Sequence, residues 1–101
     1  MFQDVKDKVQ LVKDLLAVQA KLSGYIPETT WDTATFGIVN RLLREIVSEL
    51  NSVIFSEQSV ATLREVVQIC NNVLNFAVLT HGQKETLFVV KGYAEEEISN
   101  Q

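Results

Sequence analysis

Apolar residues separated alternately by three and four positions run through the middle of this 101-residue chain, where no glycine or proline occurs from residue 38 to residue 81. That spacing places side chains on one face of an α-helix, whereas a half-buried strand needs alternate positions. Glycine and proline are the strongest helix breakers, so a stretch without them favours long helices. The pattern predicts a helix that begins between Thr29 and Asp32 and runs to about residue 55. Its apolar positions are Phe36, Val39, Leu43, Ile46, Leu50 and Val53.

The same spacing predicts a long helix on either side of this one. The first covers about residues 2–22 and the third about residues 57–80. Each has two apolar stripes, which is more apolar surface than a small monomeric bundle has room to bury. We therefore expect that the chain can form a homodimer. The stripes are Phe2, Val5, Val9, Val12 and Leu16 with Leu11, Leu15, Val18 and Leu22 on the first helix, and Val60, Leu63, Val67, Cys70, Leu74 and Ala77 with Val66, Ile69, Val73 and Phe76 on the third.

The boundary between the second and third helices allows two interpretations. Ser56 suits an N-cap and Glu57 a first helical turn, which predicts a break and a helical hairpin. One heptad phase nevertheless continues from Ile46 to Val67 without interruption. A single helix of roughly 50 residues would be very long for a globular domain and would imply a dimer with a coiled-coil arm. We favour the hairpin.

The C-terminal residues also allow two structures. The sequence TLFVV at residues 86–90 has the composition of a strand, which could pair with the preceding segment as a hairpin. Leu87, Val90, Ala94 and Ile98 step by three and four instead, which predicts a fourth helix over about residues 83–97. We favour the helix. The chain is then an all-α antiparallel helical bundle of three long helices plus a shorter C-terminal fourth helix, in a single domain over residues 1–101.

The charge of the chain argues against several classes of partner. Its net charge is −4 and its isoelectric point is about 4.9, whereas a nucleic-acid binder needs a basic face. The first ten residues contain four charges, so they do not form the apolar core of a signal peptide. Polar residues interrupt the longest uncharged run, which therefore does not predict a membrane span. We expect a cytoplasmic protein that binds neither nucleic acid nor membrane.

The residues that usually carry chemistry are scarce. The chain has one cysteine, Cys70, and one histidine, His81, separated by about three helical turns, or roughly 16 Å. Cys70 lies in an apolar stripe, and His81 is expected to close the end of the third helix. Paired metal-ligand motifs and glycine-rich phosphate loops do not occur. We expect no metal site, no cofactor and no enzymatic activity.

The third predicted helix has an unusual polar face. Gln68, Asn71, Asn72 and Asn75 recur at helical spacing, and no Lys, Arg, Asp or Glu occurs from residue 66 to residue 83. Depletion of charge is typical of the centre of a protein interface, and asparagine is a poor helix former. This Asn-lined face is either a solvated surface or a contact site, and we predict protein binding there.

The segment between the first two predicted helices concentrates the chain's rare residues. Gly24 is suited to end the first helix, and Thr29 or Asp32 to cap the second. Tyr25, Ile26 and Trp31 are large side chains of the kind that anchor interfaces, although Trp31 could instead seal the end of the bundle. We include these three among the predicted protein-binding residues.

These observations favour a small non-enzymatic protein-interaction module that acts through an exposed helix face. Adaptors, inhibitors, immunity-type proteins and assembly factors work in this way. The alternative is a helical protein that binds a small ligand or a nucleotide in the bundle or at a dimer seam. The groups available for that alternative are Arg41, Arg44, Arg64, Lys84 and Tyr93.

Overall fold

A computed structural model of the chain describes residues 2–22 and 30–101, with the side chains of residues 22 and 30–32 excepted. These residues form four α-helices and one short 3₁₀ turn, and no strand occurs among them. The predicted all-α helical bundle is confirmed, and the alternative of a C-terminal strand is excluded. The elements are α1 (Gln3–Leu22), α2 (Thr30–Asn51), the 3₁₀ turn (Phe55–Glu57), α3 (Val60–Leu74) and α4 (His81–Asn100).

The helices pack in an order that differs from their order along the chain. α1 packs against α2, α2 against α4 and α4 against α3, whereas α1 and α3 touch over a short length only. The Gln101 side chain donates a hydrogen bond to the carbonyl of Gln58 at 3.0 Å, which brings the end of α4 to the start of α3. α3 and α4 are therefore antiparallel, and α4 lies between α2 and α3.

The predicted apolar seam of α2 forms the centre of the core. Val39, Leu43, Ile46 and Leu50 are fully buried, and each such side chain stabilises the fold by roughly 1.5–3 kcal/mol. α1 contributes Val5, Val9 and Val12, and α4 contributes Leu87, Val90 and Ala94. On α3 the stripe through Val66, Ile69 and Val73 is the more deeply buried one, because this side of the helix lies between α1 and α4.

The break between α2 and α3 is confirmed, but α2 ends at Asn51 instead of about residue 55, and the two helices do not pack together as the predicted hairpin because α4 lies between them. The cap of α3 is also a different serine from the predicted one. Ser56 lies inside the 3₁₀ turn, and Ser59 is the N-cap of α3. The backbone N–H of Thr62 donates to Ser59 Oγ at 3.2 Å, which satisfies one of the free N–H groups at the helix start. Glu57 ends the 3₁₀ turn instead of beginning the next helix.

The boundary between α3 and α4 corrects two predictions. α3 ends at Leu74 instead of residue 80 and is the shortest helix, with 15 residues, whereas α4 has 20. Asn75 is the C-cap of α3, and Thr80 with Gln83 forms a capping box that begins α4. The predicted fourth helix is therefore not the short one.

The turn between these two helices is part of the core. Phe76 and Leu79 are buried there, while Ala77, which the predicted stripe placed on a helix face, is exposed. Apolar residues at helical spacing thus continue past the end of α3, because Phe76 and Leu79 in the turn also belong to the core.

An ion cluster joins α1 to α2 beside the core. Lys8 Nζ lies 2.6 Å from Glu49, 3.5 Å from Glu45 and 3.2 Å from Asp4. Hydrogen bonds to Glu49 and Asp4 hold the pKa of Lys8 above its usual range. Four charges on two helices fix the register of this antiparallel pair.

The molecule is elongated, with Cα extents of 52 × 24 × 17 Å and a radius of gyration of 15.3 Å. A compact domain of this length has a radius of gyration of about 13 Å. None of the side chains of residues 17–21, in the last turns of α1, is buried. Within the described part of the chain, no helix combines the length and the apolar character needed to cross a membrane.

Candidate interaction surface

α4 is apolar on two opposite sides although it lies at the surface of the bundle. Its inner side is the buried set already named, and its outer side carries Phe88, Val89 and Tyr93. These three side chains are 58%, 52% and 56% exposed, respectively. A cluster of large apolar side chains left in water often marks a contact surface, so the outer side of α4 lacks a cover that these three residues favour.

The local sequence makes this arrangement unavoidable. Leu87, Phe88, Val89 and Val90 are four consecutive apolar residues, and each helical step turns about 100°. The three steps from Leu87 to Val90 span most of the helix circumference, so burial of Leu87 and Val90 leaves Phe88 and Val89 outside. The run of four apolar residues is visible in the sequence. The stripe with steps of three and four residues, however, predicts only the buried side of α4.

The exposed apolar area continues from α4 onto the 3₁₀ turn. The rings of Tyr93 and Phe55 lie 6.0 Å apart at an interplanar angle of 38°. Ile54, which precedes Phe55, is 57% exposed. At Gly92 an added Cβ would meet no atom within 4 Å, so the backbone itself is open to a partner here. We call Phe88, Val89, Gly92 and Tyr93, with Ile54 at their edge, the outer face of α4.

Carboxylates border this face at both ends. Glu85 lies one turn before Val89, and Glu96 one turn after Gly92; both are exposed. His81 Nε2 lies 2.9 Å from Glu85 at the start of the helix. This surface therefore has an apolar centre and a carboxylate at each end.

The Asn-lined face is only partly a free surface. Gln68 and Asn75 are exposed, whereas Asn71 and Asn72 are half-buried. Asn75 is the C-cap of α3, and its backbone N–H donates to the carbonyls of Asn72 and Val73. Asn72 turns toward α1 and lines a groove between the two helices. Protein binding at this face stays a prediction.

The other predicted binding residues fall where the structure is not described. Tyr25 and Ile26 lie outside the described residues, as do Gly24 and Thr29, which were expected to end α1 and to cap α2. Trp31 belongs to the first turn of α2, but its side chain is outside the described set. Their role as contact residues also stays a prediction.

The groove between α1 and α3 bears on the alternative of ligand binding. Its volume is about 170 Å³, whereas pockets for small ligands usually measure about 300–1,000 Å³. An ion pair between Lys6 and Glu65 lies beside it and holds the pKa of Glu65 below its usual range. The groups expected for a ligand site are spread over α2, α3 and α4 instead of meeting at this groove. The groove is lined by Lys6, Val9, Gln10, Lys13, Ile69 and Asn72.

The chain's cysteine and histidine lie in opposite surroundings. Cys70 is fully buried, and burial raises the pKa of its thiol to about 11. His81 is exposed and begins α4, which corrects the expectation that it closes the end of α3. No group of three or more potential metal ligands occurs among residues 2–22 and 30–101. A thiol with a raised pKa is a poor nucleophile.

Comparisons with models of protein families, with curated proteins and with solved structures find no match for this chain. Aromatic and aliphatic side chains on a convex helix, with a glycine that admits close approach, are suited to bind another apolar surface.

Proposed function

We propose that this chain is a small protein-interaction module that binds another protein through the outer face of α4. The observation that carries the proposal is the second apolar side of that helix, where three large side chains within six residues are each more than half exposed. Single exposed apolar residues are common on proteins and have no special meaning. A cluster with two aromatic rings is the composition of an interface centre.

The free energy of burying apolar area favours contact with a partner over contact with water. Covering the three half-exposed side chains would remove apolar area worth roughly 1 kcal/mol each, at about 25 cal/mol per Å². Such a gain drives association only when the contacting surface is rigid. α4 provides this rigidity, because its inner side is held in the core and its start is held by the capping box.

An adaptor, an inhibitor or an assembly factor requires no more than such a surface. Binding of a nucleotide or other small ligand is the weaker candidate, because the groove between α1 and α3 is small and the cationic groups do not converge. Enzymatic activity has no support from the surroundings of Cys70, whose thiol is buried and protonated at neutral pH.

A selection experiment tests the proposal. A displayed library of helical peptides of about 20 residues, long enough to cover α4, is selected against the wild-type chain. The binding of the selected peptides is then measured for the double variant Phe88→Ser/Val89→Ser. We expect a loss of at least about tenfold, which corresponds to about 1.4 kcal/mol. Both side chains point outward, so circular dichroism and the melting temperature should stay close to those of the wild type.

The matched control is Leu11→Ser/Val18→Ser. These two α1 side chains are each 46% exposed, so the control removes similar apolar area from a different surface. The selected peptides should bind this variant as they bind the wild type. Equal binding to all three chains, or a loss only in the α1 variant, would contradict the proposal. An additional variant, Asn72→Lys/Asn75→Lys, tests the Asn-lined face in the same assay.

A further inference from the structure

We infer that the segment bound by the outer face of α4 is an amphipathic helix with apolar side chains at its centre and a lysine or arginine at each end. This inference rests on the proposed function and adds the chemistry of the partner. It comes from Glu85 and Glu96, the two carboxylates that lie in line with the apolar centre at either end of the face.

Glu85 and Glu96 lie on the same side of α4 as the apolar centre. They are eleven residues apart, or about 16 Å along the helix, and eleven steps of about 100° return to nearly the same direction. Lys84, Lys91 and Glu95 point toward the flanks instead, and Lys91 lies within 3.9 Å of Glu95. On α4, Glu85 and Glu96 are therefore the two carboxylates in line with the apolar centre, and Glu85 is paired with His81. Lys84 and Lys91 lie along the edge beside Phe88.

A partner helix of matching length would place basic side chains opposite these carboxylates. Interfaces are built with complementary potentials, because like charges brought together oppose association. The chain as a whole has a net charge of −4, which adds a long-range attraction for a basic segment. Phosphate-rich surfaces are repelled by the same charges.

A second copy of the chain fits this face less well. In a symmetric antiparallel pair of α4 helices centred between Val90 and Lys91, Phe88 would lie opposite Tyr93 of the second copy. The same symmetry would place Glu85 opposite Glu96 of the second copy, and it would do so twice. In this register the apolar centre is self-complementary and Lys84 would lie opposite Glu97, but the two carboxylates in line with the centre would oppose each other.

The test uses the tightest selected peptide in two synthetic forms that differ only at the residues at each end. One form has lysines there and the other has glutamates. Affinity is measured by fluorescence anisotropy at about 50 mM and about 300 mM salt, because screening shortens the reach of charges. We expect the lysine form to bind the wild type about tenfold more tightly at low salt, since each exposed ion pair is worth up to about fivefold. The double variant Glu85→Lys/Glu96→Lys should reverse this preference, and high salt should reduce it.

Each outcome has a definite consequence. If both forms bind the wild type equally, or if the charge reversal leaves the preference unchanged, this inference is wrong while the proposed function remains. If Phe88→Ser/Val89→Ser does not weaken binding of either form, the proposed function itself fails. Sedimentation of the wild type and of Phe88→Ser/Val89→Ser tests the remaining occupant, a second copy of the chain. Self-association of the wild type that is abolished by Phe88→Ser/Val89→Ser would assign the face to a second copy and overturn the inference.

Discussion

Cys70 and His81 show how far the surroundings of a side chain decide its chemistry. The sequence presents them as the only thiol and the only imidazole, eleven residues apart. In the structure the thiol is enclosed in the core, whereas the imidazole lies in water beside Glu85. A buried, protonated thiol is a poor nucleophile, so its surroundings give no support to a catalytic role for this pair. The burial of Cys70 was predictable from its place in an apolar stripe, whereas the place of His81 depended on where α3 ends.

Cys70 should be protected from thiol reagents in the folded protein. At about pH 8 we expect a chromogenic disulfide reagent to label the native chain at least about 100 times more slowly than the chain in denaturant, because labelling requires local or global opening. Rapid labelling of the native chain would contradict the observed burial.

The raised pKa of Cys70 also predicts a change of stability with pH. The unfolded thiol loses its proton near its ordinary value of 9.0, whereas the folded thiol keeps it to about 11. Between these two values the unfolded state binds fewer protons, so the free energy of unfolding falls as the pH rises. Below the lower value this contribution is constant. Urea denaturation of the wild type and of Cys70→Ala across this window should show a steeper fall for the wild type.

At the scale of elements, the helix ends were harder to predict than the helices. α1 agrees with its predicted range to within one residue, and α2 begins within its predicted range. α3 ends earlier than predicted because its stripe of apolar residues persists through a buried turn, whereas α2 ends at Asn51, before a 3₁₀ turn in which no residue is buried. Phe76 and Leu79 are the example, since both lie in the core outside any helix. The capping residues Ser59 and Thr80 mark the true starts of α3 and α4.

The capping box of α4 should contribute measurably to stability. In the wild type the N–H of Gln83 donates to Thr80 Oγ1 at 3.1 Å, and Thr80→Ala removes this acceptor. We expect the free energy of unfolding to fall by about 1 kcal/mol in urea denaturation. Thr80→Ser keeps the hydroxyl and is the control. An unchanged midpoint in the alanine variant would show that Thr80 does not position the start of α4.

At the scale of the whole molecule, burial is distributed unevenly along the bundle. The core joins α1 to α2, α2 to α4 and α4 to α3, while none of the side chains of residues 17–21 in the last turns of α1 is buried. The elongated shape reflects this arrangement. Exposed apolar side chains therefore occur on two different helices. Leu11 and Val18 belong to α1, whereas the outer face belongs to α4.

Amide hydrogen exchange should follow this distribution. We expect the slowest exchange in residues 39–50, 63–73 and 87–94, where opening requires loss of the core. Residues 17–21 should exchange at least about tenfold faster, because their opening exposes little buried apolar area. Exchange of residues 17–21 as slow as that of the core would show that another surface covers this end of α1 in solution.

The local pattern of side chains was sufficient to predict four helices, the core seam of α2 and the inner side of α4, because a helix repeats every 3.6 residues and a core excludes water from one side of it. The pattern could not rank competing stripes of similar composition. Phe88 and Val89 are as apolar as Leu87 and Val90, and only the positions of α2 and α3 beside α4 decide which pair is buried. Burial depends on neighbours that are distant in the chain, and periodicity carries no information about them. The candidate surface was therefore encoded in four consecutive residues, but it became visible as a surface only when the bundle had covered one side of the helix and left the other in water.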